Sequence, residues 1–557
     1  MIQKIKNACQ LFREQGVREF RQTLRRYFGE KKELEARRRL SQSFHLISKE
    51  ERARQCAYRF ASPVKFSILT PLFNTPEPYL KELLASLKRQ TYPNWELCLL
   101  DASDDEHRYV QEICEKASAS DKRIVYQRAK ENLGISGNTN ACLAMATGEY
   151  VGLLDHDDVL HESALFEMMK VIDEQGADFL YSDEVKFSGK IEDADDFNFK
   201  PAFGKDELRS HNYICHFTVF LRSLLPKTEQ AYRPAFDGSQ DHDMVLRLTE
   251  RAKKIVHLPK VLYYWRVHPD SVSMNLDSKS YAVDAAIHAI EEQLARTGEA
   301  GTVASNLPYR TIYRVRYALP EHAPVSVLIH HLSDSMSFET VCENVRARTA
   351  YPELEFIAVE CSKGESFGSA VNRAVQKASG EYLVLLDAAC IPAAPDWIEE
   401  MLMFAIRSDV CAVSPKICDS EDRIRYAGLA VDSGSESKLR FLCHGIPDAD
   451  QGFEAMLRHV RNTTAVWKVC CLFSRRMFET LGGFSENMPD YEEIDFSLKG
   501  VKHQFWNVWT CFAKMIYDGT DLADGTKPPQ PFVTCWSEAL RQEDPYCHPY
   551  LKQLKLL

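Results

Sequence analysis

At 557 residues the chain is too long for one hydrophobic core, and two or three domains are expected. Its hydrophobic and charged fractions, 45% and 27%, are those of an ordinary globular protein and exclude a disordered or fibrous chain. The net charge of −11 is uneven: residues 1–54 carry 15 Lys/Arg against 7 Asp/Glu, so the rest is strongly acidic, which argues against nucleic acid as a partner.

In the basic segment Ile2, Ile5, Cys9, Phe12, Phe20, Leu24 and Phe28 recur at helical spacing, with Arg18, Arg21, Arg25 and Arg26 between them. Such a helix either packs on the next domain or offers residues 1–54 to an anionic membrane surface. No apolar run is long enough to span a bilayer, and charges interrupt the N-terminus too often for a signal peptide. The 17 cysteines contain no Cys-x-x-Cys pair, so reduced thiols are expected. The expected location is cytoplasmic, with peripheral contact to the inner face of the membrane as the role of the basic segment.

From about Pro63 short β runs alternate with amphipathic helices. Lys65–Pro71, Trp95–Asp101 and Arg123–Gln127 read as strands, Tyr79–Gln90 and Asn140–Ala146 as helices, and a further strand runs into Asp155. This alternation builds a parallel sheet whose ligands sit at the carboxyl ends of the strands. The last strand ends in Asp155-His156-Asp157-Asp158. Three carboxylates at a strand tip are costly without a counter-charge, and the Asp-x-Asp spacing suits a hard divalent ion that also holds a diphosphate.

The chain then repeats itself. Asn140–Asp155 aligns with Asn372–Asp387 at an offset of 232, and Tyr92–Glu96 with Tyr351–Glu355 at 259. The second copy is therefore 27 residues shorter in between, the length of one strand–helix unit. The expected division is a basic helical segment over 1–60, one domain over 61–318, a second over 319–520 and a tail over 521–557. In the second copy Ala389 and Cys390 replace Asp157 and Asp158, while Glu360 and Lys363 replace Asp101 and Asp104. It should bind a nucleotide diphosphate weakly or not at all.

These residues resemble the family 2 glycosyltransferases, nucleotide-sugar enzymes of the GT-A fold, well over Pro63–Ser273 and more loosely to about Asp518. The resemblance implies an α/β chain of two tandem GT-A, Rossmann-like domains after an N-terminal helical segment. It places Thr70, Pro71 and Phe73 of the opening strand, with Asp101, on the donor's base; one of the family's acidic positions is missing beside Asp101. Asn132 and Asn140 match a nucleotide-sugar segment, although a helix cap and a turn explain them equally well. Asp155 and Asp157 match the family's Asp-x-Asp, which implies Mn2+ or Mg2+. His268, in Arg266-Val-His268 and on to Ser273, would be a third metal ligand or a diphosphate contact. Asp241 matches the base that takes a proton from the acceptor hydroxyl; the alternative is that Asp241 and Asp243 only cap a helix. Asp183, at another strand end, is a weaker ribose or acceptor candidate. Glu493 of the second copy stands at the Asp241 position.

The implied activity is inverting transfer of a hexosyl or deoxyhexosyl group from a nucleotide-sugar donor to a saccharide or lipid-linked oligosaccharide acceptor, in surface polysaccharide assembly. The Gln-x-x-Arg-Trp motif of processive synthases is absent from the sequence. Two alternatives stand beside this reading: both copies transfer sugar, or the chain is a non-catalytic saccharide-binding or scaffold protein.

Overall fold

The computed structural model describes residues 36, 38–268, 280–333, 336–519 and 527–554. The first 35 residues of the basic segment and the stretch that carries Ser273 lie outside the described residues. Residues 38–45 are helical, and Ser48 then caps α1 (Lys49–Ala57), its Oγ accepting the Glu51 amide at 3.1 Å. Phe44 is buried edge-on against Phe197, and the Tyr264 hydroxyl donates to the His45 carbonyl at 2.9 Å. The described end of the segment thus packs on the first sheet.

That sheet is built in chain order from β1 (Phe66–Leu72), α2 (Glu77–Lys88), β2 (Trp95–Asp101), α3 (Tyr109–Ser120), β3 (Ile124–Arg128), α4 (Gly134–Met145) and β4 (Tyr150–Leu153). It continues through β5 (Val159–Leu160), α5 (Ala164–Gln175), β6 (Phe179–Phe187), β7 (Asp196–Asn198), α6 (Lys205–Ser210), β8 (Thr218–Leu221), α7 (Gln240–Thr249) and β9 (Ile255–Arg266). The strand order is β3-β2-β1-β4-β8-β6-β9-β5, with β7 on β6. β1 lies parallel to β2 and β4, Phe66 opposite Trp95 and Tyr150, whereas β8 is antiparallel to β4 and β6. Every residue of β2 is buried, as in a sheet covered on both faces, which is why its sequence runs apolar without alternating. Helix α3 was not among the expected elements; its narrow stripe of Val110, Cys114 and Ala117 is its only buried part. Helix α4 begins six residues before the expected Asn140, because the Asn132–Gly134 turn already opens it.

Helix α8 (Ser280–Thr297) and the hairpin β10 (Gly301–Asn306) and β11 (Tyr309–Tyr317) precede the second sheet. Its elements are β12 (Val325–His330), α9 (Phe338–Ala347), β13 (Leu354–Ala358), α10 (Phe367–Lys377), β14 (Tyr382–Asp387), β15 (Ile391–Pro392), α11 (Trp397–Ala405) and β16 (Val410–Cys418). Short strands β17 (Ile424–Tyr426), β18 (Leu429–Val431), β19 (Leu439–Phe441) and β20 (Arg461–Asn462) follow, then β21 (Cys470–Ser474), α12 (Arg475–Thr480), α13 (Glu492–Lys502) and β22 (Trp506–Ile516). The order is β13-β12-β14-β21-β16-β22-β15. Beside the first sheet this order identifies the missing 27 residues. Only α10 connects β13 to β14, where α3, β3 and α4 connect β2 to β4. The second copy lacks its outermost parallel strand and the helix before it.

Among the described residues the first compact unit comprises those up to Asn198, His216–Leu224 and 260–268. The second holds Phe199–Cys215, Leu225–Pro259 and the rest. Near the C-terminus α14 (Gln530–Cys535) and α15 (Pro549–Leu554) belong to the second unit. There Asp544 Oδ2 accepts from the Val431 amide and the Thr464 hydroxyl, both at 2.6 Å. Among the described residues no helix is long and apolar enough to cross a membrane.

Candidate active site

Of the expected donor residues of the first copy, Thr70, Pro71, Phe73 and Asp101 lie at the carboxyl ends of the parallel strands β1 and β2. Thr70 and Pro71 lie near the end of β1, and the Thr70 hydroxyl is buried without a hydrogen-bond partner among the described residues. Phe73, just beyond, is 47% exposed. Asp101, the last residue of β2, is fully buried. Its Oδ1 accepts the Ser103 amide at 2.9 Å, and its Oδ2 accepts the Tyr126 hydroxyl at 3.0 Å and Arg128 Nη1 at 2.6 Å. The Asn74 amide donates to Ser103 Oγ at 2.9 Å and ties the two strand tips together. Asn132 performs the capping role open to it: its Oδ1 accepts the Gly134 amide at 3.0 Å and Asn138 Nδ2 at 2.8 Å. Asn140 is half-buried in α4.

The three carboxylates after β4 divide by environment. Asp155 is about half exposed and lies 3.4 Å from His216 Nε2. Asp157 Oδ2 is 2.9 Å from His268 Nε2, so β9 brings His268 to the Asp-x-Asp loop across 111 residues of sequence. Asp158 points inward, where the Tyr263 hydroxyl and the Arg266 amide each donate to it at 2.7 Å. Its burial, with Asp157 and Asp155 beside it, pushes its pKa well above the usual carboxylate range. One of the three carboxyl groups is therefore spent on holding the loop to β9. Arg266 Nε donates to the Asp157 carbonyl at 2.6 Å, and its guanidinium lies 4.3 and 4.5 Å from the Tyr79 and Phe187 ring centres.

His216 lies beside Asp155, a neighbour that the sequence did not reveal. Its backbone amide donates to Glu184 Oε2 at 2.6 Å, and its ring nitrogens lie 3.4 Å from Asp155 and 3.5 Å from Glu184. Burial lowers its pKa, but the two carboxylates outweigh that and hold it well above the ordinary histidine value. No motif surrounds Cys215-His216-Phe217; only the pairing of β8 with β4 and β6 brings it to Asp155. Asp183, expected at a strand end, lies at the middle of β6 next to Glu184 and is fully buried, because the strand runs on through Val185–Phe187.

Asp241 and Asp243 also part company. Asp241, in the first turn of α7, accepts from Gln240 Nε2 at 3.1 Å. Asp243 is fully buried, paired with Arg247 at 2.7 Å and with Arg233. The second copy repeats the structural member of the pair: Asp495 meets Lys499 at 2.7 Å, also one helical turn away. Both aspartates of the α7 pair belong to the second unit.

Asp155, Asp157 and His268 present hard carboxylate oxygens and one imidazole, a donor set that fits Mn2+ or Mg2+. Among the described residues, groupings with three ligand atoms within 4.8 Å of one another occur elsewhere. The Asp155 set would therefore rely on donor phosphates to complete it, as ions of this class commonly do. In the second copy Glu493 is fully buried and accepts the Lys468 amide at 3.2 Å. Burial drives its neighbour Glu492 up to about 7 despite Lys468 nearby.

Two stretches, residues 67–227 and 340–482, match the model of Glycosyl transferase family 2. They make up over half of the chain, and the chain belongs to that family. It is 32% identical over 486 residues to an uncharacterized protein, y4gI, of Sinorhizobium fredii, covering 81% of this chain and 52% of that protein. It is 30% identical over 464 residues to the O-antigen biosynthesis protein RfbC of Myxococcus xanthus, covering 78% and 36%. The chain spans about half and about a third of the length of these two relatives. Among solved structures, S. aureus TarS 1-349 aligns with a TM-score of 0.34 and 22% identity, over 41% of this chain and 65% of that one. Family membership and the two sheets together define tandem GT-A domains, the second lacking one strand–helix unit.

Proposed function

We propose that the chain is an inverting, metal-dependent glycosyltransferase that moves a hexosyl or deoxyhexosyl group from a nucleotide-sugar donor to a saccharide or lipid-linked oligosaccharide acceptor. The observation that carries this reading is the meeting of Asp157 and His268 at 2.9 Å, with Asp155 two residues away, at a strand tip of a family 2 domain. Mn2+ or Mg2+ bound there would offset the charge that builds on the departing diphosphate. Thr70, Pro71, Phe73, Asp101, Asn132, Asn140 and Asp183 are assigned to the donor. Asp241 takes the proton of the acceptor hydroxyl while that oxygen bonds to the anomeric carbon. The bond from that carbon to the phosphate oxygen breaks in the same step, and the nucleoside diphosphate leaves with the electron pair.

The similarity to an O-antigen biosynthesis protein supports a setting in surface polysaccharide assembly. A cytoplasmic location, with residues 1–54 at the membrane face, fits a lipid-linked acceptor. The proposed division is 61–318 as the catalytic domain and 319–520 as an acceptor-binding domain without transferase activity. The missing counterpart of β3 and the replacement of Asp157 by Ala389 support the second assignment. Release of nucleoside diphosphate from a panel of nucleotide sugars tests the reading, with Asp157→Ala and Asp241→Asn as controls.

A further inference from the structure

The second copy has lost its Asp-x-Asp, yet its strand tip is not chemically blank. Register aligns Ser67 with Ser326 and Asp155 with Asp387, so His330 and His331 occupy the places of Pro71 and Leu72 in the donor strand. His330, the last residue of β12, pairs with Asp387, the last residue of β14. His331 has a φ of +56°, a left-handed turn uncommon for a residue with a Cβ, and its Nδ1 lies 2.7 Å from Asp387 Oδ2.

His330 carries the decisive detail. Its Nε2 is 2.9 Å from the Lys468 carbonyl, which can only accept, so the ring proton sits on Nε2 and Nδ1 bears a lone pair. Nδ1 is buried, has no hydrogen-bond partner among the described residues, and faces Asp387 Oδ2 at 4.0 Å. The His330 lone pair thus faces a carboxylate oxygen that His331 already serves as donor, and a cation held between them would relieve the buried, unpaired nitrogen. An imidazole whose far N–H is held by a backbone carbonyl is the usual arrangement of a metal-bound histidine. The Ala389 amide holds the other Asp387 oxygen at 2.9 Å, so the carboxylate is oriented as well. The ammonium of Lys468 is already matched by Asp490 at 3.0 Å and does not fill the gap. His331, 59% exposed, leaves an entry path.

We infer that His330, His331 and Asp387 form a binding site for a divalent transition metal of the zinc class, in the domain that lacks the hard-cation site of the first copy. The ligand atoms of all three lie within 4.8 Å of one another. Two imidazoles and one carboxylate with an open side suit Zn2+ or Co2+ better than Mg2+. Binding at His331 Nδ1 would replace its hydrogen bond to Asp387, with the ring proton carried on Nε2 instead.

The full chain, stripped with a chelator, is titrated with Co2+ while visible absorption and bound ion per chain are followed. The inference predicts d–d bands of a nitrogen–oxygen site, without the near-ultraviolet charge transfer of thiolate ligands. These bands should be lost, or the affinity lowered at least about tenfold, in His331→Ala and Asp387→Asn. His331 is exposed, so His331→Ala should fold normally, which circular dichroism checks. Asp157→Ala should keep the bands, so this site and the first-copy site fail independently. Absence of Co2+ bands in the full chain, an unchanged titration in either His331→Ala or Asp387→Asn, or thiolate bands would overturn it.

Discussion

The Gly148 amide donates to Ser67 Oγ at 2.8 Å, and the same hydroxyl donates to Glu96 Oε1 at 2.6 Å. The second copy repeats the arrangement: the Gly380 amide donates to Ser326 Oγ at 2.9 Å, and Ser326 donates to Glu355. A Cβ on Gly148 would lie 2.5 Å from the Lys65 carbonyl oxygen, and one on Gly380 2.6 Å from the Ser326 amide. The Tyr92 and Tyr351 hydroxyls likewise donate to the Val64 and Ala323 carbonyls, at 2.6 and 2.7 Å. The shared Tyr-Pro and Gly-Glu-Tyr motifs are therefore a folding device that pins three neighbouring strands. They survived in a copy where Ala389 and Cys390 replace Asp157 and Asp158.

Ser67→Ala removes one partner each from the Gly148 amide and from Glu96, which still meet at 3.2 Å, and should cost ~0.5–1.5 kcal/mol in denaturant unfolding. Gly148→Ala should cost more, because backbone must move. Neither change touches a residue assigned to donor or acceptor, so activity per folded molecule should be retained.

Glu96 also sets an acid limit. Burial raises its pKa, but Lys65, Ser67 and Thr147 together outweigh that and hold it at about 2, against an ordinary 4.5. A depressed carboxylate stabilises the fold fully above its unfolded pKa. That contribution is lost as pH falls through 4.5 toward 2. Glu96→Gln should flatten stability over that window in acid-unfolding curves; an unaltered acid limb would refute the assignment.

Asp241 and Asp243 should separate cleanly. Asp243→Ala strands the buried Arg247 and takes one of two carboxylates from Arg233, and should cost ~3–5 kcal/mol of stability. Asp241→Asn should leave the unfolding midpoint almost unchanged while lowering kcat by roughly 10²–10⁴. Equal effects of the two changes on stability would return Asp241 to a capping role.

His268→Ala removes one proposed metal ligand and should weaken Mn2+ activation by at least about tenfold, with kcat partly restored at high Mn2+. A loss of activity that no Mn2+ concentration relieves would place His268 outside the metal's shell.

Only one nucleoside diphosphate should bind per chain in calorimetry with Mn2+, because the second sheet has no counterpart of β3. Two equivalents, one surviving Asp157→Ala, would make the second copy a donor site in its own right.

Much of this was legible in the chain. The strands β1, β2 and β3 fall within a residue or two of their expected bounds, because buried parallel strands read as continuous apolar runs between turn residues. The 27-residue deficit correctly signalled one missing strand–helix unit. What stayed hidden depended on distance along the chain. Asp158 looked like a third site carboxylate until Tyr263, 105 residues away, was seen to hold it. His216 and the His330–Asp387 pair carry no local pattern, since only strand register brings them to their partners. Helix α3 hid because its buried stripe is only three residues wide.

The most direct test is nucleoside diphosphate release from a panel of nucleotide sugars with Mn2+ or Mg2+, in the presence of a lipid-linked acceptor extract. The account predicts metal-dependent release from one donor, abolished in Asp157→Ala and in Asp241→Asn. Release that persists in both variants would contradict it and move catalysis away from the first copy.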